Sequence, residues 1–230
     1  MRFGSPVAYV YRPLDYAWPV ARTYLTRFGA GSKEAVLVGM NPGPFGMAQT
    51  GVPFGEVAMV RDWMGLAGDI AAPKKSHPKR PVLGWRCPRS EVSGKRLWGA
   101  VAALHPEPES FFARAFVMNY CPLMFVGETG ANITPDKLVR TERSALEAAC
   151  DAHLASALST LGPRYAIGVG QYAMNRIARV VESGAVRAGP NGLPRVLCIP
   201  HPSPASPAAN RGWNVLAQAA LHDAGVRGLL

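Results

Sequence analysis

Three polar residues stand where apolar stretches of the chain end in stiff turns, and their types suit directional hydrogen bonding. Asn41 follows the run Ala35–Met40 and opens Asn41-Pro42-Gly43-Pro44-Phe45-Gly46, where two prolines fix φ and two glycines permit positive φ. Asn119 closes the apolar stretch Ala115–Asn119, ahead of Tyr120-Cys121-Pro122. His201 lies in Ile199-Pro200-His201-Pro202-Ser203-Pro204, directly after Arg195–Ile199, with a proline on either side limiting backbone motion. Amide and imidazole groups held this way can stabilise a developing charge or orient a water without reorganising. The plainer readings are an Asn41 that caps a strand-to-helix turn, an Asn119 that forms a turn, and a His201 that caps the last helix.

The elements that must position these residues alternate. Short apolar runs at 35–40, 115–119, 165–169 and 195–199 read as strands. Helical spacing marks 15–29, about 56–66, 92–104, the stretch from Thr134-Pro135 to Leu161, 171–182, and a last helix from Ser206-Pro207 to Gly225. Thr134 and Pro135 read as N-cap and first helical residue, and His153 falls on the apolar face of that helix as a core or boundary histidine. This alternation predicts an α/β fold: a three-layer α/β/α arrangement around a central four-stranded parallel sheet. Right-handed crossovers then bring Asn41, Asn119, Gly170 and His201 to one sheet edge, where open α/β sheets bind ligands. No repeat or linker divides residues 1–230, which read as a single domain.

With 48% hydrophobic residues, a chain of 230 can bury a sizeable core. No apolar run is long enough to span a bilayer, and the N-terminus lacks the apolar region of a secretory signal. The expected setting is therefore the cytoplasm beside the nucleoid in a bacterium, or the nucleus in a eukaryote. The four cysteines form no CxxC pair, which argues against a zinc knuckle or an iron–sulfur cluster and for reduced, mostly buried thiols. Net charge is +10, and between Lys74 and Arg96 eight Lys or Arg residues face a single acid, Glu91. A charge-biased solvated loop would explain this, but with the flanking motifs phosphate binding explains it better. The segment 71–91 also carries Val82, Leu83 and Trp85, which predicts an ordered loop rather than a linker.

The stretch GMNPGPFGMAQTGVPFGE, together with HPSP and the following AANRGW, resembles the two motifs of the uracil-DNA glycosylase superfamily. More narrowly the chain is similar to the single-strand-selective monofunctional uracil-DNA glycosylases. That likeness extends to Tyr11-Arg-Pro-Leu-Asp-Tyr-Ala-Trp, His77-Pro-Lys-Arg-Pro-Val-Leu-Gly, Ser90-Glu-Val-Ser-Gly and Phe116-Val-Met-Asn-Tyr-Cys-Pro-Leu, so it covers nearly the whole chain.

The resemblance implies a repair enzyme that flips uracil out of DNA and hydrolyses its N-glycosidic bond, with no metal or cofactor. DNA, single- or double-stranded, is the implied partner of a monomer with no membrane association. His201 would stabilise the leaving base at its carbonyl and Asn41 would position the attacking water. Asn119 would read the base edge, and Phe54, otherwise an ordinary core residue, would stack on the base. Gly43 would leave room beside C5, implying tolerance of oxidised uracils such as 5-hydroxymethyluracil, with Met40 and Met47 lining the pocket. Lys79, Arg80, Lys95 and Arg96 would contact DNA, as would Ser203, Ala205, Ser206, Asn210 and Arg211 in the segment that relatives insert as a wedge. Many relatives carry Arg after HPSP, where this chain has Ala205. The alternatives are a superfamily glycosylase acting on deaminated purines and a basic DNA-binding module without catalysis.

Overall fold

The apolar runs form the centre of the molecule because every residue in three of them is buried: Ala35–Gly39, Ala115–Asn119 and Tyr165–Val169. A computed structural model describes all of residues 1–230. In chain order its elements are β1 (Tyr9–Tyr11), α1 (Pro13–Tyr16), α2 (Trp18–Phe28), β2 (Ala35–Gly39), α3 (Met47–Thr50), α4 (Val92–Leu104), α5 (Pro108–Phe112) and β3 (Ala115–Asn119). They continue as β4 (Met124–Val126), β5 (Asn132–Ile133), α6 (Arg140–Leu161), β6 (Tyr165–Val169), α7 (Gln171–Glu182), β7 (Arg195–Ile199), α8 (Pro207–Asn210) and α9 (Trp213–Asp223).

The main sheet has the order β3-β2-β6-β7 and is parallel throughout, as the alternation predicts. Chain direction across the sheet reverses after β3, so right-handed crossovers send α4 to one face and α6 and α7 to the other. The contacts agree: α4 packs on α9, and α6 packs on α7. Beside β3 the core is aromatic, with Phe28 and Phe112 stacked at 3.9 Å between centroids and Tyr24 donating its hydroxyl to the Val117 carbonyl.

Several boundaries differ from the sequence expectations, each through tertiary packing. The helix expected over 15–29 breaks at Ala17 into α1 and α2, which leaves Pro19 in the first turn of α2, where a missing N–H does no harm. The helix expected at 56–66 is a π-helical turn over Met59–Trp63, with Val60 and Met64 fully buried and Glu56 accepting from the Met59 N–H at 3.0 Å. Thr134-Pro135 starts only a 3₁₀ turn, and Thr134 makes no side-chain cap; Leu138 is drawn into the core in extended form, so α6 begins at Arg140. His153 on α6 is exposed rather than on its buried face. The last helix does start at Ser206, whose hydroxyl accepts from Ala209 N–H, but Gly212 splits it into α8 and α9.

A second sheet, β1-β4-β5, puts β4 in the loop expected after Asn119, pairing Tyr9 with the distant Val126 and Phe125 with the nearby Ile133. It orders the basic segment. The Tyr11 hydroxyl accepts from His77 N–H and donates to the Arg80 carbonyl, each at 2.7 Å, and Arg80 Nε donates to the Gly130 carbonyl. From the other side the buried Gln49 of α3 donates to Pro81 and accepts from Leu83 and Gly84. The expectation of an ordered loop holds. Cys121 and Cys150 are buried, whereas Cys87 and Cys198 are only partly so.

Candidate active site

The four strand ends deliver their following residues to one edge. Gly39 pairs with Asn119, Val169 pairs with Ile199, and a side chain at Gly170 would meet the His201 Cβ at 3.1 Å. Asn41, Asn119 and His201 thus line one cavity of about 330 Å³ together with Met40, Gly43 and Phe54. That volume is in the range of small-molecule sites.

Phe54 is the only non-glycine residue with positive φ, 53°. Such a conformation costs a bulky residue roughly 1–3 kcal/mol and persists where the surroundings dictate it. Here they do. A side chain at Gly39 would come within 2.6 Å of the Phe54 ring, the Phe54 carbonyl accepts from Glu56 N–H at 2.7 Å, and Gly94 leaves room for that carbonyl. The ring is thereby held against the sheet with one side on the cavity.

The polar groups are committed on one side and free on the other. His201 Nδ1 accepts from Ser203 N–H at 3.1 Å, so the neutral ring carries its proton on Nε2. Burial lowers the His201 pKa from its ordinary value, which favours that neutral form. Trp213 Nε1 anchors the turn by donating to the Pro200 carbonyl at 2.7 Å, and Arg96 donates to the Pro202 carbonyl at 3.0 Å. Asn119 Nδ2 points at Met47 Sδ, 3.2 Å away, while Oδ1 accepts nothing from the protein. Asn41 makes a single long contact, Nδ2 to the Pro42 carbonyl at 3.4 Å. A smaller cavity of about 120 Å³ shares Asn119 with the first and is lined by Met47. Met47, expected to line the pocket, does not line the larger cavity, because its sulfur is turned to the Asn119 amide from the other side.

The expected DNA-contacting residues divide into groups. Lys79, Lys95, Ala205 and Arg211 are exposed. Arg80 stacks over Phe45 at 5.5 Å while bound to Gly130. Arg96 and Asn210 bond to each other at 2.8 Å, Asn210 donates to the Pro204 carbonyl, and Ser206 caps α8, so these three brace the turn. Ser203 does the same through its N–H to His201 and its hydroxyl, which accepts from Ala205 N–H. Sequence reasoning missed Arg89, whose guanidinium lies 4.0 Å from the Phe45 ring centre and whose stretch of chain carries no strand or helix signal. It also missed Glu91, which lines the cavity. An acid isolated among eight basic residues and placed just before a helix was the available signal.

The model of the uracil DNA glycosylase superfamily matches residues 26–221. Single-strand selective monofunctional uracil-DNA glycosylases of rat, cow and mouse are each 47% identical over all 230 residues, covering 81%, 82% and 80% of those proteins. The chain belongs to this family. In fold, it resembles the crystal structure of wild-type SMUG2 from Pedobacter heparinus, with a TM-score of 0.68 at 15% identity, covering 97% of this chain and 89% of that one. Family membership and the three-layer fold thus agree with the motifs, and no helix is long and apolar enough to cross a membrane.

Proposed function

We propose that this protein is a monofunctional uracil-DNA glycosylase of base-excision repair. It takes a uracil nucleotide out of the DNA stack, hydrolyses the N-glycosidic bond and leaves an abasic site. The observation that carries this reading is the convergence of Asn41, Asn119 and His201, each with an uncommitted polar atom, around the strained Phe54 ring in one cavity. The relatives named for the same reaction support it.

Flipping costs a few kcal/mol of unstacking, which stacking on Phe54 and hydrogen bonds to the base offset. The C–N bond then breaks toward an oxocarbenium-like sugar and a uracil anion. The His201 Nε2–H donates to the carbonyl nearest that bond, where charge develops, and does so from a position fixed before reaction. Asn41 orients the water near the sugar carbon. An amide cannot take up a proton as a carboxylate can, so this water adds to a cation that is already well formed. Asn119 Oδ1 accepts from uracil N3–H and its NH₂ donates to O4. Cytosine reverses both partners and would strand buried groups. Gly43 lies at the C5 side and leaves it open to oxidised uracils.

The enzyme acts as a monomer on single- and double-stranded DNA through its basic rim, without a membrane. It works where that DNA is, in a eukaryotic nucleus or a bacterial cytoplasm. The test is a uracil-containing oligonucleotide incubated with excess chelator and then treated with alkali. The expected result is alkali-dependent cleavage at uracil with the chelator present. Loss of activity restored by a divalent ion, or cleavage before alkali, contradicts hydrolysis by a protein-held water alone.

A further inference from the structure

Glu91 is a titratable group inside the cavity to which the reaction above gives no task. It precedes α4 and caps it, with Oε2 accepting from Gly94 N–H at 2.9 Å. The carboxylate lies against the Asn41–Gly46 turn. A side chain at Gly43 would meet Oε1 at 2.7 Å, and one at Gly46 would meet Oε2 at 2.7 Å. Both glycines are therefore required by this acid, while neither uses the positive φ that glycine permits. Oε1 accepts no hydrogen bond from the protein and is not sealed off, so it opens onto the cavity. Burial, with the Glu56 carboxylate adding to it, pushes the Glu91 pKa up to about 7 against the pull of the Gly94 N–H. Above that value the group is ionised, and its free oxygen is an acceptor only.

The order of groups around the uracil ring says which partner. With His201 at O2 and Asn119 at N3–H and O4, the next position is C5, the side assigned to Gly43, over which Oε1 lies. We infer that Glu91 is a specificity-determining residue, whose Oε1 accepts a hydrogen bond from a donor carried on the 5-position of the base, as in 5-hydroxymethyluracil. The inference rests on the cavity being a uracil site and adds to it a residue that selects among 5-substituents. With Glu91 ionised, as it is above about pH 7, a hydroxyl placed against Oε1 is paired, whereas an aldehyde oxygen at the same reach offers only lone pairs. Discrimination of this kind, by buried polar groups that a wrong ligand leaves unpaired, exceeds what an apolar contact provides.

The experiment compares wild type with Glu91→Ser and Glu91→Gln on matched single-stranded oligonucleotides carrying uracil, 5-hydroxymethyluracil or 5-formyluracil. Serine is a good helix N-cap and keeps an acceptor for the Gly94 N–H, so α4 retains its start while the reach into the cavity is lost. Single-turnover kcat/KM is read as a ratio to uracil within each protein. The expected result for Glu91→Ser is a fall of about tenfold in the hydroxymethyluracil-to-uracil ratio, with no fall in the formyluracil-to-uracil ratio. Glutamine retains an acceptor oxygen, and its ratio falls between those of wild type and the serine variant. An unmoved hydroxymethyluracil-to-uracil ratio overturns the inference, as does an equal loss on all three substrates, which marks a purely architectural role. Absence of uracil release by the wild type tells against the uracil-site reading itself, and uracil release with an unmoved ratio tells against Glu91 alone.

Discussion

At the cavity wall Asn119 is 8% exposed, and His201 has one ring nitrogen already bonded to its own turn. On the rim Lys79, Lys95 and Arg211 are exposed, and their side chains make no hydrogen bond or ion pair within the protein. The wall groups are oriented before any ligand arrives, so their electrostatic effect needs no rearrangement at the moment of reaction. On the proposed reading the rim cations take the phosphates of a bound strand as partners, and each adds a modest contribution that falls as salt rises. Between the two stands Arg96, a cation of the rim by sequence that braces the wall by geometry. Substitutions on the two sides should therefore separate chemistry from affinity.

The largest effects are expected at the wall. His201→Leu removes the donor to the leaving base and Asn41→Ala removes the group that orients water, and each should lower the single-turnover rate by roughly 10²-fold or more. DNA affinity should stay close to wild type in both. A near-normal rate for either variant takes that residue out of the mechanism, and a matching loss of affinity breaks the division between wall and rim. Asn119→Ala should also weaken capture of the flipped base. Its check is the uracil-to-cytosine discrimination, whose persistence would mean that another group reads the edge.

A smaller effect concerns the protonation state on which that division rests. Burial lowers the His201 pKa, so folding favours the neutral ring. A depressed histidine pKa contributes stability that is present above the unfolded value near 6.5 and lost as pH falls through the folded value. Protonation also sets a new N–H on Nδ1 against the Ser203 N–H, which loosens the turn. Activity and turn order should therefore be steady at neutral pH and decline together below it. Following the His201 ring by NMR titration checks this. A pKa at or above the ordinary histidine value means that the ring is held charged, and the preformed neutral donor is then the wrong description.

The same contrast explains what could be read from the chain. Asn41, Asn119 and His201 were legible because each stands at or just past the end of a strand and is followed within three residues by a proline, and parallel topology carries such ends to one place. Strands were legible through their short apolar runs, and α4 and α7 through helical spacing. What escaped depends on partners remote in sequence. The β1-β4 pairing joins residues more than a hundred positions apart, and nothing local in Met124–Val126 announces it. Leu138 delays α6 because the core takes it up extended, which overrides the Thr134-Pro135 start signal. Glu91 showed only its charge, since its position over Gly43 and Gly46 exists only once α4 packs against the turn.

The smallest expected effect tests the rim at Ala205. Flipping a base from a duplex leaves a gap, and a side chain that fills it slows the base's return. Arginine can occupy such a gap and pair with phosphate, whereas alanine offers one methyl group. Ala205 is exposed, and its N–H is already held by the Ser203 hydroxyl, so the direction of its side chain is fixed by the turn. Ser206 and Asn210, the neighbours that could substitute for it, are committed to capping α8 and to bonding Pro204 and Arg96. Ala205→Arg should therefore raise activity on duplex uracil relative to single-stranded uracil, by about 1 kcal/mol, or roughly fivefold, at most. In single strands there is little stacking to replace, and the side chain matters less. Single-turnover rates on matched single- and double-stranded oligonucleotides at one salt concentration give the ratio. If it does not move, Arg211, the exposed cation just beyond α8, becomes the wedge, and Arg211→Ala should then lower the ratio that Ala205→Arg left unchanged.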